Sequence, residues 1–373
     1  MRHVRLGMVG GGQGAFIGAV HRIAARLDGR FDLVAGALAS DPVRAHASAA
    51  ELGLAPDRSY GDFREMARAE AARSDGIEAV SIVTPNHLHG PIAEVFLAAG
   101  IHVICDKPMT ATLAQATSLQ AAAEASEAQF FLTHNYTGYP MIRQARKMVA
   151  EGKLGDIRLV QAEYLQDWLG EVPDANNKQA AWRTDPVQAG GGAIGDIGTH
   201  AYNLACFVAG ETPKALSATL STFVAGRAVD DDARVSLRFA SGAQGHIWAS
   251  QVATGNENAL TLRIYGSKGG ISWAQETPNT LSYAPMGAPV QTLTRAGHGA
   301  NDAANAVSRI PGGHPEGYLE AFATLYRDAA EIIAGERDAG PETIGLRHGL
   351  DGMIFIDACQ RSSAQGAAWI TLA

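Results

Sequence analysis

Short apolar runs alternate with amphipathic stretches along the first third of the chain, up to about residue 134. The runs have the length and composition of buried strands, whereas the stretches between them repeat apolar residues at helical spacing. Such alternation predicts a parallel sheet covered on both faces by crossover helices, a doubly wound α/β fold. The predicted strands are Arg5–Val9, Phe31–Leu38, Glu78–Thr84, His102–Cys105 and Gln129–Leu132, and the predicted helices are Ile17–Leu27, Val43–Leu52, Phe63–Arg73, Ile92–Ala99 and Leu113–Ala125.

The pattern changes after residue 134. One helix, Met141–Ala150, precedes long strands of alternating apolar and polar residues, which favour an open, mostly antiparallel sheet with one face packed on helices. Because 373 residues exceed the usual size of one core, we predict two α/β domains, 1–134 and 135–373. We expect the other sheet face to bind further copies in a homodimer or homotetramer. The predicted strands of this part are Ile157–Gln166, Ala215–Val224, Ala233–Phe239, Gln244–Ser250 and Leu260–Tyr265.

Little periodicity is present in Gly287–Gly313, which is rich in glycine, proline, alanine and asparagine. We predict a long loop there, and long loops inside compact domains are more often functional than idle. Pro315 then suits the first turn of a helix that continues through Ile333.

Composition and charge narrow the possible partners. The formal net charge is −8, and no block of lysine and arginine is present, which argues against nucleic-acid and anionic-membrane partners and favours a small neutral substrate. The cysteines Cys105, Cys206 and Cys359 lie in apolar runs without paired spacing, as free thiols in a reducing compartment do. No signal peptide, membrane-spanning run or metal-ligand spacing is visible, so we expect a cytoplasmic protein without a metal.

A glycine-rich turn follows the first strand and precedes the first helix, where glycine permits a tight turn and lets backbone amides approach a pyrophosphate. This context predicts a dinucleotide site. The end of the second strand lacks the acidic residue that usually holds the adenosine ribose, because Leu38-Ala39-Ser40 stands there and Asp41 follows. Ser40 and Arg44 suit the 2′-phosphate of NADP, whereas Ser40 and Asp41 suit a plain ribose; we favour NAD. The predicted turn residues are Gly10, Gly12, Gln13, Gly14, Ala15 and Phe16.

Two later strands also end in polar residues. Thr84, Pro85, Asn86 and His89 follow the third strand, at the carboxyl edge where ligands of doubly wound sheets bind, although a simple helix start explains them equally well. Asp106 and Lys107 follow the fourth strand and directly precede Pro108. A charged side chain just beyond the end of a buried strand usually faces a cleft.

Oxidation of a secondary alcohol requires a base for the hydroxyl proton and a donor for the developing alkoxide. Lys107 suits the donor and His200 the base, because the pKa of histidine lies near neutrality. Asp196, four residues before His200, would share its helix face and orient the substrate or the lysine. The alternative is an aspartate N-cap with an ordinary helix histidine.

The glycine run, Thr84-Pro85-Asn86 with His89, Asp106-Lys107-Pro108 and Gly195-Asp196-Ile197-Gly198-Thr199-His200 occur in this order. Over essentially its whole length the chain resembles the glucose-fructose oxidoreductase/inositol dehydrogenase (Gfo/Idh/MocA) family. The resemblance implies a Rossmann domain, bound NAD or NADP, and a lysine-aspartate-histidine site for sugars or cyclitols. Lys107 would polarise the hydroxyl, Asp196 would orient it and His200 would act as acid/base. Asp106 replaces the family's usual glutamate.

We therefore predict an NAD(P)-dependent oxidoreductase acting on a secondary hydroxyl of a sugar, cyclitol or glycoside. One alternative is a glycosidase that oxidises its substrate transiently and recycles the cofactor; another is an inactive nucleotide-binding regulator. Further candidate substrate contacts, which structural roles explain about as well, are Asn135, Tyr136, Tyr164, Trp182, Arg183 and His314.

Overall fold

The computed structural model describes residues 2–172 and 178–372. Its elements, in chain order, are β1 Val4–Gly10, α1 Phe16–Leu27, β2 Phe31–Ala37, α2 Pro42–Glu51, α3 Phe63–Ala71, β3 Ala79–Val83, α4 His89–Ala98, β4 His102–Cys105, α5 Leu113–Glu124, β5 Phe130–Leu132, α6 Pro140–Ala150, β6 Ile157–Leu165, α7 Lys178–Arg183, α8 Pro186–Ala189, α9 Thr199–Ala209, β7 Pro213–Ser221, β8 Asp232–Phe239, β9 Gln244–Ser250, β10 Ala259–Gly266, β11 Gly269–Ala274, β12 Thr280–Pro285, β13 Gln291–Thr294, α10 Asp302–Val307, α11 Tyr318–Ile333, α12 Leu346–Ala364 and β14 Ile370–Thr371.

The chain divides into two compact units, of which the first comprises Met1–Asn135 and Leu319–Asp351. Its strands run parallel in the order β2-β1-β3-β4-β5. Every residue of β3 is buried, as expected for a central strand covered on both faces. The predicted doubly wound parallel sheet is confirmed.

The first unit differs from the predicted domain 1–134 because it includes Leu319–Asp351. The reason lies in α11, whose Tyr326 is buried against the sheet. The Tyr326 hydroxyl lies 2.8 Å from the Ser81 hydroxyl of β3 and 2.8 Å from His21 Nδ1 of α1. Its ring also meets the Phe31 ring edge-on. A helix distant in sequence therefore completes the cover of this sheet.

The second unit comprises Tyr136–Tyr318 and Gly352–Ala373. Its strands follow the order β13-β12-β11-β10-β6-β9-β8-β7-β14, and all neighbours pair antiparallel except β6 with β9. The predicted open, mostly antiparallel sheet is confirmed. Along β6, Val160, Ala162 and Tyr164 are buried on the face that α9 covers. On the opposite face, Leu159 and its neighbour Tyr265 on β10 are 53% and 43% exposed.

The prediction of a structureless loop over Gly287–Gly313 is wrong in part, because the segment contains β13 and α10. The strand β13 forms by pairing with β12, and Asn301 caps α10 by accepting a hydrogen bond from the Ala304 amide. Neither interaction follows from hydrophobic periodicity. The next helix begins at Tyr318 rather than at Pro315.

Within the described residues, no helix combines the length and the apolar character that a membrane crossing requires.

Candidate active site

The predicted glycine-rich turn joins β1 to α1. Gly10, Gly11 and Gly14 adopt positive φ angles, which glycine populates without the steric cost that a Cβ atom brings. Gly12 has a different reason to be glycine: a Cβ there would lie 2.7 Å from the Leu38 carbonyl oxygen and 2.6 Å from the Ser48 hydroxyl. The turn therefore packs its backbone closely at the start of α1, and these residues fit a dinucleotide pyrophosphate.

Replacing Gly12 with valine is expected to weaken NAD binding about 5- to 150-fold, since overpacking of about 1–3 kcal/mol would displace the turn. Titration calorimetry with NAD measures the effect. The matched control is Gly340→Val in the same unit, because a Cβ at Gly340 would meet only the Glu342 carboxylate, at 3.7 Å. Unchanged NAD affinity in the Gly12 variant would contradict the assignment of this turn.

The structure places the predicted ribose-binding residues beside this turn. Asp41 caps α2 by accepting a hydrogen bond from the Arg44 amide, and the Arg44 guanidinium donates to the Gln13 carbonyl (3.0 Å). Ser40 is exposed directly before this cap. A carboxylate and a guanidinium therefore both lie near the end of β2. Ala15 precedes α1, and the Phe16 side chain at the start of that helix is exposed.

The ends of β3 and β4 are tied together by His89. Its Nε2 lies 2.9 Å from the Thr84 carbonyl oxygen, and its Nδ1 lies 2.7 Å from the Pro108 carbonyl oxygen. Burial lowers the pKa of His89, so the neutral ring donates to one of these carbonyls. Asn86 is buried in the turn that precedes α4. This position agrees with both predicted roles, a helix start and a ligand contact.

Asp106 and Lys107 follow β4. The Asp106 carboxylate accepts hydrogen bonds from the Lys107 amide (2.8 Å) and the Thr133 hydroxyl (3.2 Å). Asp106, which stands where the family usually has a glutamate, thus fixes the backbone of the turn that carries Lys107. The Lys107–Pro108 peptide bond is cis.

A buried polar cluster of His21, Ser81 and Tyr326, which the sequence analysis did not find, lies behind this turn. His21 Nε2 faces Asp106 Oδ1 at 3.9 Å, while its Nδ1 faces the Tyr326 hydroxyl. Burial lowers the pKa of His21 to about 4, against the opposing effect of the Asp106 charge. His21 is therefore neutral at physiological pH. No local motif could reveal this cluster, because its members lie on three separate elements.

Acidification is expected to destabilise the first unit through His21. Below pH 6.5 the imidazole of the unfolded chain binds a proton, whereas that of the folded chain does so only near pH 4. The free energy of unfolding therefore falls as the pH is lowered through this window. The decrease due to His21 is about 3 kcal/mol. His134, whose pKa burial lowers to about 3, acts in the same direction. Urea unfolding measures the free energy of unfolding at pH 7 and at pH 4.5. Its decrease between these pH values should be smaller for His21→Gln than for the unchanged chain. Equal decreases would refute a neutral, buried His21.

In the second unit, Asp196 lies in a π-helical turn, Ile194–Gly198, that leads into α9. Its carboxylate accepts hydrogen bonds from Gln251 Nε2 (2.9 Å) and Arg183 Nε (3.3 Å). The Arg183 guanidinium also stacks on the Trp182 ring, 4.3 Å from the ring centre. Arg183, predicted either to contact substrate or to fix a loop, thus orients the predicted aspartate. Gln251 was not predicted from the sequence.

His200 occupies the first turn of α9 and is 7% exposed. The Tyr136 ring meets it edge-on at 4.8 Å, and the Tyr164 ring lies 6.1 Å away. The two tyrosine hydroxyls are 2.5 Å apart. Burial, together with the charge of Asp196, raises the pKa of both tyrosines, so both hydroxyls stay protonated. The structure therefore groups Tyr136 and Tyr164 with His200, and the Asp196 charge acts on both tyrosines.

The π-helical turn is itself held by Asp230, a second residue that the sequence analysis missed. Its carboxylate accepts hydrogen bonds from the amides of Gly192 (2.9 Å) and Ile194 (2.8 Å). A Cβ at Gly192 would lie 1.7 Å from the Asp230 carbonyl oxygen, so only glycine fits this approach. The glycine run before Asp196 therefore serves close packing.

Two further predicted substrate contacts, Asn135 and His314, take part in backbone hydrogen bonds. Asn135 is buried, and its amide donates to the Thr133 carbonyl. His314 is exposed in a loop, attached through its backbone carbonyl to Arg295. Across the described residues, no group of three or more His, Cys, Asp or Glu side chains is arranged to hold a metal ion.

Comparisons with known proteins identify the family of this chain. The model described as "Oxidoreductase family, NAD-binding Rossmann fold" matches residues 4–134, and the "GFO/IDH/MocA C-terminal domain" model matches residues 142–272. Levoglucosan dehydrogenase from Pseudarthrobacter phenanthrenivorans is 32% identical over 76% of this chain and 77% of its own length.

Two solved structures match essentially the whole chain. An oxidoreductase from Sinorhizobium meliloti is 56% identical, with a TM-score of 0.92 and 100% of both chains covered. An inositol dehydrogenase homolog from Azotobacter vinelandii, complexed with NADH and myo-inositol, is 36% identical, with a TM-score of 0.91 and coverage of 99% of this chain and 98% of its own. The chain therefore belongs to the Gfo/Idh/MocA family of NAD-binding oxidoreductases.

Proposed function

We propose that this oxidoreductase interconverts a secondary hydroxyl and a ketone on an uncharged, polyhydroxylated ring, a sugar, cyclitol or glycoside, with Lys107, Asp196 and His200 at the reacting carbon. The observation that carries the proposal is an aspartate held by two donors, four residues before a buried histidine that two tyrosine rings contact. The relatives support the substrate class, because their names refer to levoglucosan and myo-inositol.

Each residue has a distinct task in the oxidation. The nicotinamide ring, when bound, accepts the hydride. As the carbon-hydrogen bond breaks, His200 takes the hydroxyl proton and the carbon-oxygen double bond forms. The Lys107 ammonium donates a hydrogen bond to that oxygen and stabilises its developing negative charge. Asp196, fixed by Arg183 and Gln251, accepts a hydrogen bond from a neighbouring hydroxyl and orients the ring.

We propose NAD as the preferred cofactor. The Asp41 carboxylate at the end of β2 would repel the 2′-phosphate of NADP, and the Arg44 guanidinium is engaged with the Gln13 carbonyl. The Azotobacter homolog was solved with NADH, which agrees with this preference.

A panel of myo-inositol, levoglucosan, D-glucose and D-xylose, each with NAD and with NADP, tests the proposal at the nicotinamide absorbance. The expected result is reduced nucleotide from at least one compound, faster with NAD. No reduction by any of them, with NAD bound, would count against it. Release of an aglycone from an aryl glycoside without net reduction would favour the redox-neutral glycosidase instead.

We also propose that the exposed face of the large sheet joins copies of this chain into a homodimer or homotetramer. Leu159 and Tyr265 are adjacent on this face and half-exposed, so an apolar patch contacts solvent in the single chain. Leu159→Glu is expected to reduce the mass measured by light scattering to that of one chain, whereas Thr117→Glu on α5 should leave it unchanged. An unchanged mass for the Leu159 variant would rule out this face.

The cytoplasm is the compartment we propose. Its reducing conditions suit the free cysteines, of which Cys105 and Cys359 are buried.

A further inference from the structure

An open surface cavity of about 720 Å³, lined by polar and apolar atoms in nearly equal share, lies in the second unit. Its volume falls within the range of about 300–1,000 Å³ typical of small-molecule sites. None of the functional roles assigned above uses this cavity. Its lining includes Tyr139, Asn258, Gln275, Glu276, Asn279 and Tyr318.

Asn258 connects the cavity to the tyrosines beside His200. Its Oδ1 accepts a hydrogen bond from the Tyr164 hydroxyl (2.8 Å), and its Nδ2 donates to Gln275 Oε1 (3.1 Å). Gln275 Nε2 in turn donates to the Tyr139 hydroxyl (3.4 Å). A continuous polar wall therefore leads from the Tyr164 ring, which faces His200, into the cavity.

The far rim of the cavity is fixed by a buried ion pair between Arg295 and Glu316, whose side chains are 2% and 1% exposed. Arg295 also donates to the carbonyls of Ile310, Pro311 and His314. Asn279 accepts from Arg295 Nε and donates to the Glu316 carbonyl. A rim held by this many hydrogen bonds is formed before a ligand arrives, which lowers the ordering cost of binding.

The chemistry of the lining selects against anions. Among the described residues that line the cavity, Glu257 and Glu276 carry carboxylates outside the buried ion pair, and no lysine or arginine is present. A phosphate or carboxylate ligand would meet like charge there. The side-chain amides and the half-buried Tyr318 ring instead suit an uncharged group with many hydroxyls, which can hydrogen-bond and stack.

We propose that this cavity binds a second, uncharged sugar residue, so that the substrate is a neutral glycoside at least two residues long. The first residue would be oxidised beside His200, and this part of the inference rests on the proposed function. The second residue would lie along Asn258, Gln275 and Tyr318, where it adds affinity without taking part in the chemistry.

Titration calorimetry of the NAD-loaded protein with D-glucose, cellobiose and maltose tests the inference. The disaccharides share the glucose unit and differ in linkage, so either orientation of a second residue is sampled. We expect at least about tenfold tighter binding of one disaccharide than of glucose, a difference of about 1.4 kcal/mol. Equal affinities for all three, or no disaccharide binding, would overturn the proposal.

Gly317→Phe locates the preference in the cavity. A Cβ at Gly317 meets nothing within 4 Å, so the new ring can occupy the cavity without displacing backbone. We expect the ratio of disaccharide to glucose affinity to fall to about one. The matched control Gly340→Phe places the same ring on a glycine of the first unit and should keep the ratio. If Gly317→Phe kept the ratio of disaccharide to glucose affinity of the unchanged chain, the proposal would be overturned.

Nucleotide reduction, recorded on the same samples, separates this inference from the proposed function. A disaccharide preference that Gly317→Phe abolishes, without reduction of NAD by any sugar, would support the cavity and contradict the dehydrogenase. Reduction of NAD by a sugar, together with equal affinities for glucose and the disaccharides, would support the dehydrogenase and contradict the proposed role of the cavity.

Discussion

Replacing Lys107 with alanine is expected to lower kcat about 10²- to 10⁴-fold, because the variant lacks the ammonium that stabilises the developing alkoxide. NAD affinity should stay close to that of the unchanged chain. The turn that carries Lys107 is held by the Asp106 carboxylate and its Thr133 contact, neither of which the substitution removes. Steady-state rates with the most active polyol of the panel and calorimetry with NAD measure the two quantities.

Lys153→Ala removes an equivalent charge at an exposed position of the second unit and should leave kcat unchanged. Normal catalysis by the Lys107 variant would end its assignment as the donor. Equal loss of NAD affinity and of kcat would instead give Lys107 a role in holding the cofactor.

Replacing His200 with alanine is also expected to lower kcat about 10²- to 10⁴-fold, since the proton acceptor is lost. Added imidazole should restore part of the rate, which a merely structural role of the ring would not permit. His298→Ala, at an exposed position between β13 and α10, is the control and should behave like the unchanged chain. No loss of rate in the His200 variant would assign proton transfer to another group.

Combining the two substitutions tests whether Lys107 and His200 serve one chemical step. Residues that act as a unit lose less together than the product of their separate losses, because neither can act fully without the other. We expect the double variant to lose less of its kcat than the product of the two separate losses. A double variant whose loss equals the full product would assign the two residues to independent steps.

The doubly wound sheet was predictable from sequence because its strands are buried on both faces and lie between clear breaks. The predicted strand His102–Cys105 matches β4, and Phe31–Leu38 differs from β2 by one residue. The strands from β11 to β14 were not among the predicted strands. The residues of β13 show no alternation of burial, and the strand exists because β12 offers it a partner.

The candidate residues were visible in the sequence where they stand in short motifs, as Asp106 with Lys107 and Asp196 with His200 do. Their partners were not. Gln251 follows a strand far from Asp196 along the chain, and Arg295 lies in a segment whose composition favours a loop. Contacts of this kind depend on how the sheet brings strand ends together, which periodicity does not encode.

The central claim is that hydride passes directly from a carbinol carbon to the nicotinamide. Its most direct test incubates the protein and NAD with myo-inositol or D-glucose that carries deuterium on every carbon, followed by mass spectrometry of the nucleotide. The account predicts reduced nucleotide that is heavier by one deuterium. Reduced nucleotide without the deuterium label would contradict it.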